Sequence, residues 1–350
     1  MLDSAIGFLR SEVAPRAAEL DRDVSALKDV VAKMGAKGFA ALRVPQEFGG
    51  PGFPEEDFRS FQEEAARASR RVAFLQTQHQ SAASMILRSE KQELKERVLP
   101  DMVTGKRWIG IGFSQLRRKG PPIMRATPSE GGYILDGTVP WITGYGIYPE
   151  FLIGAALPDG DAVFGIVPLQ NVEGKISVSP VMQLAAMESA QTVSAEFSGY
   201  FLPEEDVAFV KPLDWLASND MVNITLQGHF AIGCARAGLD ILENNANTKK
   251  LDFLKEAYDS LFAEWQELRE KIRKATPSAD ERTTQERLEL RAHAIELANR
   301  CALAAVTSSS GAANSMNHPA QRVYREALVF TVSAQTTAIM EATLLRLRRS

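Results

Sequence analysis

The stretch Gly131-Gly132-Tyr133-Ile134-Leu135-Asp136-Gly137-Thr138-Val139-Pro140-Trp141-Ile142-Thr143-Gly144-Tyr145 decides how the rest of the chain is read. Tyr133 to Leu135 predicts a short strand, bounded by the turn signals Gly131-Gly132 and Asp136-Gly137. A second run, Val139 to Thr143, ends at Gly144. Trp141 and Thr143 stand two apart, so in a regular strand they share one face. One offers a flat aromatic surface and the other a hydroxyl, a pair suited to hold a planar heteroaromatic ligand by face and edge. Taken alone, the stretch is read at least as well as a buried Trp and a Thr in a small β core.

Outward from it, the β character extends on both sides. Trp108-Ile109-Gly110-Ile111-Gly112-Phe113-Ser114 alternates or runs apolar, and short β-type runs follow at 123–127, 132–136, 150–157, 162–168, 174–178 and 192–201. Turns such as Pro158-Asp159-Gly160 separate them. Residues 106–211 are expected to form a small β-barrel or sandwich domain. Within it, Arg117-Arg118-Lys119 is a basic loop that suits a phosphate or carboxylate, or is a solvated turn.

Residues 1–105 read as all-α. Leu2, Ile6, Leu9, Val13 and Leu20 keep helical spacing interrupted by Pro15, and Val24, Leu27, Val30, Val31 and Met34 form one apolar face. Residues 38–53, with Pro45, Pro51, Gly49, Gly50 and Gly52, predict an ordered loop of tight turns, and helical patterns resume near 55–70, 74–88 and 91–104. Residues 212–350 predict a four-helix bundle from segments at about 213–244, 250–274, 283–312 and 319–348, with Thr283 and Glu286 as a capping box for the third. The expected fold class is therefore α+β, in the order α, β, four-helix bundle.

Composition removes several function classes. The chain has 350 residues, 45% apolar and 24% charged, with a net charge of −4, so no basic footprint for nucleic acid is present. Cys234 and Cys301 lie in apolar surroundings and read as reduced core residues. No secretion signal is visible, the longest charge-free run (301–321) is too polar for a membrane span, and the default expectation is the cytoplasm. There is no Walker loop and no G-x-G-x-x-G after a strand. Glu289 and His293 share a helix face but lack further ligands, so no metal site is expected. Thr307-Ser308-Ser309-Ser310-Gly311 has no G-x-S-x-G context and reads as close helix packing or a loop.

Taken together, Val44-Pro45-Gln46-Glu47-Phe48-Gly49-Gly50, Trp141-Ile142-Thr143 and the α–β–α order resemble the acyl-CoA dehydrogenase superfamily over essentially the whole chain. Gly137 fits that family's strand motif, with Val139 where a lysine is usual. The resemblance implies a flavoprotein with FAD between the β domain and the bundle; FMN, or a weakened or lost cofactor, are the variants it leaves open. It implies that Trp141 packs on the flavin rings, that Thr143 bonds near N5, and that Phe113, Ser114, Ile142 and Thr336 complete the cofactor contacts. Arg117 and Arg118 stand near the acyl-CoA turn as substrate-binding candidates. It also implies a small-molecule substrate, an acyl-CoA in ordinary members, and a homodimer or homotetramer, which the apolar surface of 323–345 suits.

The departures concern catalysis. Arg325-Glu326-Ala327 resembles the family's R-D-A segment, but Ala334 occupies the position of the glutamate base. Residues 221–242 hold no Glu; the nearby acids are Asp220 at the start and Asp240 and Glu243 near the far end, and Asp220 is the one weak candidate for a relocated base. The arginine that reaches the FAD pyrophosphate is replaced by the segment Asn247-Thr248-Lys249-Lys250, and the glycine-rich segment by Ser308-Ser309-Ser310-Gly311. Desaturating an acyl thioester needs a base within hydrogen-bond reach of the α proton, and an alanine methyl cannot serve. Three readings follow: an acyl-CoA dehydrogenase-like flavin-dependent oxidoreductase acting on a CH–CH group, a flavin-dependent monooxygenase of the same fold, and a non-catalytic binding protein of that fold.

Overall fold

The computed structural model describes residues 1–275 and 280–348. The chain opens with α1 (Leu2–Phe8), a π turn at Leu9–Val13 and a tight 3₁₀ turn at Ala14–Arg16. Pro15 sits in that tight turn, just after the π turn, where its missing N–H interrupts the helical run. Helices α2 (Ala17–Leu20), α3 (Val24–Ala36), α4 (Glu55–Ala68), α5 (Arg70–Leu87) and α6 (Gln92–Thr104) complete the N-terminal helical region. Asp23 caps α3 by accepting from the Ser25 and Ala26 amides, which satisfies two of its orphan donors.

The loop at 38–53 is ordered by its own backbone. Gly52 N donates to the Val44 carbonyl at 2.9 Å, and Phe53 N to the Leu42 carbonyl at 2.8 Å. A Cβ on Gly50 would lie 2.0 Å from the Val44 oxygen, so only glycine closes this turn.

Eight strands follow: β1 (Ile109–Gly112), β2 (Met124–Ser129), β3 (Gly132–Thr143), β4 (Glu150–Ala156), β5 (Asp161–Pro168), β6 (Ile176–Val178), β7 (Thr192–Pro203) and β8 (Val207–Pro212). They make one sheet in the order β6-β7-β3-β2-β4-β5-β8, with β1 paired parallel to β4. The two runs expected at 133–135 and 139–143 are one continuous strand that carries two register shifts. β8 lies outside the expected runs, because Val207-Ala208-Phe209-Val210 has no polar alternation to mark it. Tyr148 ties this region to the N-terminal helices: its buried hydroxyl donates to the Leu75 carbonyl on α5 at 2.6 Å.

The C-terminal helices are α7 (Trp215–Val222), α8 (Leu226–Lys249), α9 (Asp252–Lys274), α10 (Glu281–Ser309), α11 (Pro319–Phe330) and α12 (Thr337–Leu347). The first and last expected helices are each divided, at 223–225 and at 331–336. The cap of α10 is Asp280, whose carboxylate accepts from the Thr283 amide, rather than a Thr283–Glu286 box. α8 is the central helix, packed on α4, α9, α10 and α11. It crosses α4 so closely that a Cβ on Gly233 would lie 2.0 Å from the Glu63 carbonyl oxygen. Cys234 and Cys301 are buried free thiols in this core, and burial pushes the Cys301 thiol up to about 12. Among the described residues, no helix is long and apolar enough to cross a membrane.

Candidate functional site

The register of β3 determines what Trp141 can do. Val139 pairs with Ala195, but Ile142 pairs with Val193, so three steps on β3 match two on β7. This bulge at Pro140-Trp141 breaks the two-residue alternation. Val139 and Ile142 both turn inward at 0% and 1% exposure, while Trp141 is 48% exposed. A Trp of that exposure presents ring area that packing has not used.

Thr143 follows a different course. It is buried, pairs with Thr192 across the strands, and its hydroxyl lies 3.0 Å from that of Thr192. Two hydroxyls sharing one hydrogen bond retain one O–H that is not spent on the pair. Thr192 was not singled out from sequence; its position opposite Thr143 in the antiparallel ladder is a tertiary fact, set across 49 residues.

The turn Ser114–Arg117 packs on β3, β4 and α7. Phe113, just before it, is buried edge-on against Phe164. Ser114 is exposed, as are Arg118 and Lys119. Arg117 lies over the Phe113 ring at 5.7 Å and makes a two-pronged ion pair with Asp220 on α7, at 2.6 and 2.9 Å. Thus the two sequence candidates of opposite sign, Arg117 and Asp220, meet each other. Both Asp220 oxygens accept from one guanidinium in a bidentate geometry. Two acids within α8 are similarly held: Asp240 by Arg67 at 2.7 and 2.9 Å, and Glu243 by Arg236 at 3.1 Å.

Ala334 and Thr336 lie in the 331–336 turn between α11 and α12. Ala334 is exposed with φ +48°, a left-handed conformation that non-glycine residues rarely adopt. Thr336 is the N-cap of α12, its hydroxyl oxygen accepting from the Ile339 amide at 3.3 Å. The turn is anchored from α10, where Arg291 donates to the Ser333 carbonyl at 3.1 Å. Near the C-terminal end of α8, Lys249 bonds the Ser308 carbonyl, and Asn245 donates to the Ser308 and Ser309 hydroxyls at 2.9 and 3.0 Å. Lys249 and the serine run are therefore mutually engaged.

Among the described residues no group of three or more His, Cys, Asp and Glu side chains is placed to hold a metal. His293 instead faces Glu264 at 2.7 Å. Desolvation lowers its proton affinity, against the opposing pull of Glu264.

The order of helical region, β-sheet region and helical region is shared with acyl-CoA dehydrogenases of known structure. The description "Acyl-CoA dehydrogenase, N-terminal domain" matches residues 1–106. The chain is 27% identical over 214 residues to a mitochondrial isovaleryl-CoA dehydrogenase of Solanum tuberosum, covering 59% of this chain and 52% of that protein. The structure of a glutaryl-coenzyme A dehydrogenase in complex with glutaryl-CoA superposes with a TM-score of 0.83 at 19% identity, covering 100% of this chain and 94% of that one. An acyl-CoA dehydrogenase complexed with FAD from Bacillus anthracis gives a TM-score of 0.83 at 17% identity, covering 99% and 66%. The matched stretches span between 40% and 61% of the length of the first curated relatives. Residues 1–106 are thus similar to the acyl-CoA dehydrogenase N-terminal domain, and the whole chain shares the fold of solved acyl-CoA dehydrogenases.

Proposed function

We propose that this protein is an acyl-CoA dehydrogenase-like flavin-dependent oxidoreductase whose reaction does not use a glutamate base in the turn between α11 and α12. The observation that carries the reading is the half-exposed Trp141 on its β-bulge, beside the Thr143–Thr192 hydroxyl pair. An uncovered indole face and a buried hydroxyl with a spare donor suit a flat heteroaromatic ring with polar edge atoms. FAD, or FMN in its place, would be held there by Trp141, Thr143 and the exposed Ser114. When bound, it supplies the capacity to accept electrons from a substrate or to pass them to oxygen.

The chain's own groups limit the proton chemistry. Ala334 has no atom that can accept a proton. Asp220 has both oxygens engaged by Arg117, so presenting one of them to a substrate proton requires that pair to open. Arg117 is thereby the group an anionic substrate must compete for, and an acyl-CoA, with its phosphates, is the substrate class we assign. The exposed Val332, Met340, Leu344 and Leu347 around α12 support contact with a second copy, as a homodimer or homotetramer. A single-chain mass by light scattering would remove that part of the reading.

The reaction class is tested with FAD-loaded protein. Anaerobic bleaching of the flavin by an acyl-CoA supports dehydrogenation. Oxygen uptake with separately reduced flavin, and no bleaching, marks a monooxygenase. If flavin binds and neither response occurs with a range of acyl-CoAs, the oxidoreductase reading fails in favour of a binding protein of the same fold.

A further inference from the structure

Two arginines inside the helical region have no anion to meet. Arg70, in the first turn of α5, is 0% exposed. Its guanidinium carbon lies 5.0, 5.2 and 4.6 Å from the ring centroids of Phe74, Phe230 and Phe330. None of its three nitrogens has a hydrogen-bond partner among the described residues. Arg291, on α10, is 1% exposed; Nη2 donates to the Ser333 carbonyl at 3.1 Å, while Nε and Nη1 have no partner.

The nearby anion is already used. Glu326 acts on Arg70 electrostatically, yet its Oε1 accepts from Arg71 at 2.9 Å and its Oε2 from Arg322 at 2.8 Å. Burial lowers the Arg70 pKa to about 10. It lowers that of Arg291 to about 9, with the charge of Arg70 adding to the effect. Both groups keep their protons at neutral pH, so two like charges that act on one another are buried in the interior. Natural interiors rarely tolerate such unpaired charge without a use for it. Gln335 Oε1, two residues beyond Ser333, is also buried and unbonded, but one neutral oxygen cannot neutralise two guanidiniums.

The geometry selects among anions. Aromatic rings lie near the Arg70 guanidinium carbon, and its N–H groups are the part of it left without partners. Those groups match a carboxylate, which accepts two parallel N–H bonds in one plane. The aromatic surroundings favour an apolar body on the same molecule and disfavour a strongly hydrated phosphate dianion. The 331–336 turn is held to Arg291 by a single bond to the Ser333 carbonyl and carries Ala334 at φ +48°, so it is the element whose displacement would uncover Arg291.

We propose that Arg70 and Arg291 form a binding site for the carboxylate of an apolar organic acid, reached by displacement of the 331–336 turn. The site requires no flavin, so its test is made on the full chain without added cofactor and is separable from the oxidoreductase reading. Urea unfolding is followed with increasing benzoate, against benzamide, phosphate and chloride at matched ionic strength. Benzoate should stabilise saturably, raising the folded-to-unfolded ratio about 100-fold at 100 times its dissociation constant. Benzamide, phosphate and chloride should not, and Arg70→Met and Arg291→Gln should abolish the benzoate effect. Should either variant fail to fold, the benzoate–benzamide difference in the natural chain decides. The proposal is overturned by absence of a saturable benzoate effect, by an equal effect of benzamide, phosphate or chloride, or by its survival in a folded variant.

Discussion

Arg70 and Arg71 are neighbours on α5 and open onto two regions of opposite character. Arg71 bridges Asp21 of the N-terminal region and Glu326 of α11, while Asp21 also meets Arg325 and Glu326 also meets Arg322. Three arginines and two carboxylates thus close a buried node that fastens the first helices to the bundle. One residue earlier, Arg70 meets three phenylalanines and no carboxylate. The contrast teaches that burial of a cation has different consequences according to its partners. In the first region charge sets the relative position of two layers; in the second it is held unmatched beside a turn.

Paired substitutions sharpen that comparison most strongly. Arg71→Ala leaves two carboxylates short of a donor and should lower unfolding free energy by about 3 kcal/mol in urea titrations. Arg70→Met replaces an unpaired guanidinium with an apolar chain of similar reach and should stay within about 1 kcal/mol of the natural protein, or exceed it. Equal losses in the two variants would erase the distinction.

Acid stability is the next largest effect. His79 is fully buried, its Nδ1 accepting from the Ile109 amide at 3.2 Å and its Nε2 lying 3.0 Å from the Met102 carbonyl, and desolvation lowers its pKa to about 4. A depressed folded pKa means the unfolded chain binds the extra proton first. His79 therefore contributes stability that is complete above about pH 6.5 and is lost as pH falls toward 4. Between pH 7 and pH 5 the loss from this residue should be about 2 kcal/mol. His79→Gln should flatten the pH dependence of the urea midpoint over that interval; an unchanged slope would locate the proton uptake elsewhere.

The regions also differ in how readable they were from sequence. Local chemistry announced the 38–53 loop, because Pro45, Gly49, Gly50 and Gly52 each meet a backbone demand. Arg325-Glu326-Ala327 stood out by resemblance, and the structure sets it in the buried node. Trp141 was picked out by type and spacing, yet its exposure depends on a bulge that no regular alternation reveals. The pairs Arg117–Asp220, 103 residues apart, and Arg71–Glu326, 255 apart, exist only after the layers assemble. Arg70 and Arg291 carried no sequence signal at all, since an unpaired buried arginine and a solvated surface arginine are the same letter.

The account depends on Trp141 and Thr143 being the wall of a flavin site, and direct titration of the purified protein with FAD tests this. Stoichiometric uptake with a shifted flavin absorbance, weakened at least tenfold in a folded Trp141→Ala variant, is the predicted result. A colourless protein that takes up neither FAD nor FMN, or uptake that is indifferent to Trp141, would contradict it.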